Sequence, residues 1–328
     1  MTSRLTQPHL LSGPFGSYIN DRHHMSVEEL FRREEIDPIR AALREYRASG
    51  VNQSVTPTFG ASARGTAPGP FTSDKKRWNT EAAFLTQLEF PNKLPFGSVA
   101  PLLDTCGHDD RAWAMVQHQV EVARRAHTPQ IQALYDGGIR SVLAEAVHDY
   151  YEAIGFVKAA SDTGMHRAIV SFQPTKKGMP RNSETCLSYN DILDRLRLQH
   201  SGNTHVDIGL NCDNYDGIHD ALDGNPAGTF ALVYPNQCAV PAGSDGERFW
   251  ELANKNHERT QIEEKEFQKL RLSYAIPQTR ILQLLTLAQK NLVECVGFCC
   301  GATPEHTRQL HQMLQAMPSD AQPVTPSV

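Results

Sequence analysis

Leu292-Val293-Glu294-Cys295-Val296-Gly297-Phe298-Cys299-Cys300-Gly301 is a short apolar run that ends in two adjacent cysteines framed by glycines. Thr303-Pro304-Glu305-His306 follows, a helix start with proline just inside the cap. The spacing therefore predicts a strand, a turn and a helix in about fifteen residues. In a regular strand, neighbouring side chains point to opposite faces, so two adjacent cysteines could not serve one ligand there. Gly297 and Gly301 let the backbone leave strand geometry, and both sulfurs can then turn to one point. A thiolate-loving metal is one tenant and a vicinal disulfide the other. A tetrahedral metal site needs more than two ligands. His205-Val206-Asp207-Ile208-Gly209-Leu210-Asn211-Cys212, a second strand-like run ending in cysteine, supplies the third candidate. Three cysteines at the ends of two strands meet the requirement of an open zinc site, with the fourth position left for substrate. Cys106, Cys186, Cys238 and Cys295 read as ordinary core residues.

Outward from this stretch, apolar runs alternate with helical patterns along the whole chain. Strands are predicted in 8–16, 50–55, 94–100, 139–146, 165–172, 205–212, 229–236 and 292–299. Helices are predicted over 26–49 with a break at Pro38, and over 77–89, 110–137 with a break near Pro129, 148–163, 188–199, 244–273 and 277–291. Ser26 and Glu29 are spaced as a capping box. The loop from about residue 60 to 74 is rich in Gly, Ala, Pro and Ser and reads as either a lid or a plain insert. The charged run 261–269 reads as a solvated helix face. Residues 1–7 read as a loose arm. Residues 319–328, polar and Pro-rich, read as a disordered tail after a single domain over 1–318.

Eight strands alternating with helices, without a linker-like break, predict one (β/α)8 TIM barrel of the α/β class; a doubly wound open sheet offers no reason for eight repeats. In a barrel the loops after the strands converge on one mouth, where active sites sit. Ser12, Thr56, Glu145, Cys212, Asn236, Cys299 and Cys300 all follow strand candidates and would meet there.

Composition narrows the partners. Asp and Glu number 37 against 32 Lys and Arg, a net charge of −5, and no basic cluster is interleaved with aromatics, which argues against nucleic acid. No apolar run approaches the ~20 residues a membrane helix needs, and no signal-peptide core opens the chain. Seven cysteines, two of them adjacent, argue against a secreted disulfide framework and place the chain in the cytoplasm. The remaining partners are small molecules, and the chain is expected as a monomer or homo-oligomer.

These features together resemble the homocysteine S-methyltransferase family over about residues 8–315. Val296-Gly297-Phe298-Cys299-Cys300-Gly301-Ala302-Thr303-Pro304-Glu305-His306 resembles the family's Gly-Gly-Cys-Cys-x-x-x-Pro-x-His motif, which carries two zinc ligands. Gly209-Leu210-Asn211-Cys212 resembles its Gly-Val-Asn-Cys motif, which carries the third. Val233-Tyr234-Pro235-Asn236 is similar to a strand end near the family's site, and Gly97-Ser98-Val99-Ala100-Pro101 to its Gly-Ser-Ile-Gly-Pro. Residues 48–60, with Thr58, are similar to its run ending Thr-Asn-Thr-Phe. Leu143-Ala144-Glu145 resembles the segment whose glutamate holds the amino group of homocysteine.

The resemblance implies a zinc-containing barrel that moves a methyl group from a sulfonium or betaine donor to a thiol. Zn2+ would sit on Cys212, Cys299 and Cys300, with Glu145, Asn236, Ser12 and Thr58 facing substrate. Glu145 reads as an ammonium partner or a helix-start charge, Asn236 as a substrate contact or a turn residue, and His306 as a helix-start residue rather than a fourth ligand. Three positions and one stretch depart from the family pattern; the stretch, residues 173–184, lacks the family's usual Asp-Gly pattern after the fifth strand. Ser12 stands where the family has an aspartate that helps hold the acceptor, Pro57 replaces its asparagine, and Phe298 its second motif glycine. The rival expectation is a barrel that keeps the metal and binds thiols without methyl transfer.

Overall fold

The computed structural model describes residues 7–23, 25–61, 71–91, 93–102, 116–174, 187–199, 202–213, 215–236, 252, 260–273 and 276–317. Cys106, Cys186, Cys238, the 319–328 tail, most of the 60–74 loop and residues 175–184 lie outside them.

Seven strands form one sheet among the described residues: β1 (His9–Leu10), β2 (Phe96–Val99), β3 (Ser141–Val147), β4 (Arg167–Phe172), β5 (His205–Asn211), β6 (Leu232–Tyr234) and β7 (Cys295–Val296). Their spatial order is β1-β7-β6-β5-β4-β3-β2, and every neighbouring pair is parallel. The predicted strand at 50–55 is reduced to two parallel bridges, Leu11 with Gln53 and Val55 with Phe96. Those bridges close the circle between β1 and β2. The Ser12 N–H donates to Gln53 O at 3.0 Å, and the Phe96 N–H to Ser54 O at 2.9 Å. The architecture is the expected α/β TIM barrel, with its eighth stave irregular.

Helices α1 (Phe15–His23), α2 (Val27–Arg32), α3 (Asp37–Ala48), α4 (Ser73–Glu89), α5 (Val116–Asp136) and α6 (Tyr150–Thr163) occupy the first half. α7 (Tyr189–Leu198), α8 (Tyr215–Asp223), α9 (Gln261–Ser273), α10 (Gln278–Lys290) and α11 (Pro304–Ala316) complete the chain. Local signals explain their ends. Ser26 accepts from the Glu29 N–H at the start of α2, and Asp149 accepts from Tyr151 and Glu152 at the start of α6, which Gly164 terminates in the left-handed region. Pro38 sits in the first turn of α3, so it divides α2 from α3 rather than kinking one long helix. The break expected near Pro129 is not realised: α5 runs through it.

Strand side chains alternate between two cores. Val142, Ala144, Val170, Val206, Ile208, Leu210, Val233 and Val296 pack outward against helix residues such as Phe156, Ile192, Ile218 and Leu310. Leu11, Val55, Phe96, Leu143, Ile169, Leu232 and Cys295 fill the barrel interior. With a period of two, the next inward positions toward the strand ends are Ser98, Glu145, Asn211 and Tyr234. The interior face therefore turns polar where it reaches the mouth, and again at the opposite end, where Arg167 and Asp207 share the inward parity and pair with each other.

Candidate active site

Two backbone irregularities shape the mouth. β3 shifts register between Ala144 and Val147, a bulge that re-aims Glu145. Ala146 (φ 54°) and Cys212 (φ 58°) both occupy the left-handed region, a placement costing about 1–3 kcal/mol each for a non-glycine residue. Both are held by hydrogen bonds. The Ala146 N–H donates to Asn211 Oδ1 at 2.8 Å, and the Cys212 N–H donates to Tyr234 O at 3.3 Å. On the neighbouring loop, the Cys299 N–H donates to Pro235 O at 2.7 Å. Gly301 carries φ 81°, as the turn after the cysteine pair requires, and a side chain at Gly297 would stand 3.0 Å from Leu11.

These turns bring three sulfurs together. Cys212 Sγ lies 3.7 Å from Cys300 Sγ, Cys299 Sγ lies 3.9 Å from Cys300 Sγ, and all three fall within 4.8 Å of one another. Four ligands placed tetrahedrally at a zinc–sulfur distance of ~2.3 Å stand about 3.8 Å apart. The donor set thus has the chemistry and the spacing of three corners of such a site. All three cysteines are free, so the vicinal disulfide expected as the competitor is not present. Asn211 Nδ2 points at Cys299 Sγ from 3.9 Å, so one amide braces both the β3 bulge and a sulfur.

Thiols this close cannot all ionise alike. Hydrogen bonds from Cys212 and Cys299 pull the Cys300 thiol well below its ordinary value. The Cys299 thiol is pushed up by its bonds to Cys212 and Cys300 and by burial. At Cys212 a hydrogen bond from Cys299 lowers the value, but the bond to Cys300, burial and the nearby charges outweigh it and raise it. Cys295, one layer deeper in the barrel, is pushed up to about 12 by burial and takes no part in the trio.

Glu145 stands beside the sulfurs. Burial pushes its carboxyl up to about 7, against the lowering effect of the Ser98 and Tyr234 hydroxyls. The Ser98 hydroxyl donates a short hydrogen bond to Glu145 Oε1. The Tyr234 hydroxyl is the carboxylate's second hydrogen-bond neighbour, and burial together with the charge of Glu145 pushes this phenol well above its ordinary value. Above the trio opens a cavity of about 820 Å³. Its floor is Ser98, Glu145, Asn211, Tyr234 and the three cysteines; its walls include Phe15, Met25, Val27, Val55, Phe59 and Trp78; Glu28, Glu29 and Arg33 lie at its rim.

The other expected site residues are distributed unevenly. Ser12 lines the cavity, but its oxygen accepts the Val55 N–H at 3.0 Å and so belongs to the barrel closure. Thr58 does not line it: its hydroxyl donates to Ser98 O at 2.6 Å, and the side chain is fully buried. Asn236 is also absent from the lining, and its N–H donates to Asp213 O at 2.9 Å. His306 Nδ1 accepts from the Thr303 N–H at 3.1 Å in a capping box, the helix-start role expected for it. Ser98, Asn211 and Tyr234 were not singled out from sequence, although each lies in a motif quoted for the resemblance. Strand parity counted back from the mouth would have found them.

Residues 6–314 match a family profile described as homocysteine S-methyltransferase. Comparison with curated proteins gave no match. Among solved structures, the chain resembles the homocysteine methyltransferase MmuM from Escherichia coli in its apo, oxidised and metallated forms, with TM-scores of 0.62, 0.65 and 0.62 and identities of 17%, 19% and 18%. Each comparison covers 94% of this chain and 96% of the other.

Proposed function

Since the chain belongs to the homocysteine S-methyltransferase family, we propose that it carries a methyl group from a sulfonium or betaine donor, such as S-methylmethionine or S-adenosylmethionine, to the thiol of homocysteine or a related thiol or selenol. The product is methionine or its analogue. The observation that carries this reading is the trio of cysteine sulfurs within 4.8 Å at the floor of an apolar cavity. Cys212, Cys299 and Cys300 would hold Zn2+, for which soft thiolate donors are suited. When bound, the ion would supply the Lewis acidity that lets a thiol ionise at neutral pH.

The chain's own residues do the rest. The walls formed by Phe15, Met25, Phe59 and Trp78 exclude water from the acceptor sulfur and offer aromatic faces to a cationic donor. Glu145, braced by Ser98, faces the side of the floor where an acceptor's ammonium would lie. Asn211 fixes the orientation of Cys299 and of the β3 bulge together. A carbon–sulfur bond forms to the acceptor as the donor's carbon–sulfur or carbon–nitrogen bond breaks, and the donor leaves as a neutral thioether or tertiary amine. No helix among the described residues is long and apolar enough to cross a membrane. Free, closely packed cysteines suit a reducing compartment, and we place the protein in the cytoplasm.

The test is incubation of zinc-loaded protein with homocysteine and isotopically labelled sulfonium and betaine donors. Labelled methionine is the expected product. Zinc retained without transfer to any thiol of a panel would overturn the proposal in favour of a thiol-binding relative without turnover.

A further inference from the structure

α4 carries apolar side chains on two faces. Its inner stripe, with Trp78, Ala82 and Leu85, is buried and supplies Trp78 to the cavity wall. On the outer face Phe84 and Leu88, one turn apart, are 62% and 50% exposed. One apolar stripe is enough to seat a helix on its own barrel, so the second has no task within a single copy. No other helix among the described residues shows two exposed large apolar side chains. Such a pair gains by being covered, as any apolar surface does.

The charges around the pair say what covers it. Glu89 follows Leu88 directly, and three arginines of α3 converge on it. Arg44 Nε donates to Glu89 Oε1 at 3.1 Å, Arg47 Nη1 donates to Glu89 O at 2.7 Å, and Arg40 Nε lies 3.5 Å from the same carboxylate. Three guanidinium groups share one carboxylate, which leaves a surplus of positive charge, and the Arg44 and Arg47 side chains are half exposed. On the other side of the pair, one turn before Phe84, stands the half-exposed carboxylate of Glu81. The order along the face is negative, apolar, positive. Turned about a two-fold axis between Phe84 and Leu88, it becomes positive, apolar, negative, so the face is complementary to itself.

We propose that this α3–α4 face is the contact of a symmetric homodimer, with α4 packed antiparallel on α4 of a second copy. Phe84 of one copy meets Leu88 of the partner subunit, and Glu81 faces Arg44 of the partner subunit. A crossing angle near about −50° carries Lys76 at the start of α4 away from Lys93 of the partner subunit. With about half of the 12 residues of α3 and 17 of α4 facing outward, the contact falls short of the ~20–30 residues per side of a stable complex, and association in the micromolar range follows.

Sedimentation velocity of the full chain from about 1 to 100 µM at physiological salt is the experiment. The expected result is a concentration-dependent passage from one chain to two. Leu88→Glu, which places a charge in the apolar centre, should move that passage about tenfold or more to higher concentration. Glu81→Arg and added salt should weaken it as well. Leu198→Glu, at an exposed leucine that ends α7, should associate like the unsubstituted protein. All three substitutions lie at the surface, and thermal melts verify that the variants fold. A chain that stays monomeric at the highest concentration would overturn the proposal and leave the apolar pair to a different protein. A dimer that Leu88→Glu and Glu81→Arg leave intact, or that Leu198→Glu weakens as much, would overturn it by placing the contact elsewhere.

Discussion

Glu145 and Ser12 show how little a residue's identity says until its partners are known. Glu145 sits at a β-bulge with Ser98 donating to one oxygen, and its carboxyl is pushed up from the usual 4.5 to about 7 by burial. In metal-free protein this raised value is a stability term with a definite sign. The folded state holds a proton that the unfolded chain has already released, so the contribution is fully present below about 4.5 and is lost as pH rises through about 7. Metal-free Glu145→Gln should lack that decline and melt higher than the unsubstituted metal-free protein at pH 8, with no such gain at pH 4. Thermal melts at the two pH values decide it. With metal bound, the same variant should lose about 1.5–3 kcal/mol of binding to an amino-bearing acceptor and leave zinc content unchanged. Ser12 carries a different burden. Its oxygen receives the Val55 N–H inside the barrel closure, so Ser12→Ala strands a buried donor and should cost about 1–3 kcal/mol in denaturant unfolding. Ser12→Asp keeps an acceptor there and adds a charge; it should tighten homocysteine binding, in part offset by repulsion from Glu145. A homocysteine saturation curve that worsens in Ser12→Asp would show that serine already belongs to a working pocket.

At the scale of elements, strands and helices were legible where periodicity and caps agreed. β3, β4 and β5 lie where continuous apolar runs predicted buried parallel strands, and α7 begins at the Ser188 capping box. The stave at 50–55 was read as a full strand but is realised as two bridges, because Asn52 and Ser12 side chains take over part of the pairing: Asn52 Oδ1 accepts the Leu10 N–H at 2.6 Å. Sequence cannot show that exchange of backbone for side-chain partners. α1 was missed because Phe15–His23 carries neither a strong cap nor a clear apolar stripe, yet it supplies Phe15 to the cavity wall. At the opposite end of the barrel, Arg167 on β4 binds Asp207 of β5 through Nε at 2.8 Å and Glu294 beside β7 through both terminal nitrogens at 2.8 and 2.7 Å. Arg167 holds the Glu294 carboxyl below its usual range, chiefly by hydrogen bonding. That contribution is present above the unfolded carboxylate value of about 4.3 and is lost as pH falls through the lower folded one. Arg167→Met should therefore cost about 1–3 kcal/mol at pH 7, reduced by the solvent exposure of Glu294, and should flatten the acid limb of a stability–pH profile. An unchanged acid limb would remove Arg167 from the strands' ion-pair lock.

For the whole molecule, the eightfold alternation and the cysteines of two distant motifs were readable because both are periodic or chemically rare, and the barrel is what joins them: residues 212 and 299 are far apart in sequence but follow β5 and β7, which flank β6 at the same mouth. The cavity above them was not readable, since its walls come from α1, α2, the 55–60 segment and α4, whose meeting depends on closure of the circle. Thr58 illustrates the same limit, because a motif position facing the mouth in sequence spends its hydroxyl on Ser98 O inside the barrel. The proposed chemistry requires Cys212, Cys299 and Cys300 to act as one metal centre, and zinc content per chain measures whether they do. Elemental analysis of the purified protein should give about one zinc per chain, and Cys212→Ala, Cys299→Ala and Cys300→Ala should each lose it or hold it far more weakly, whereas Cys295→Ala should keep it. Full zinc occupancy in Cys212→Ala, or an unsubstituted protein that takes up no zinc from a zinc-supplemented buffer, would contradict the assignment.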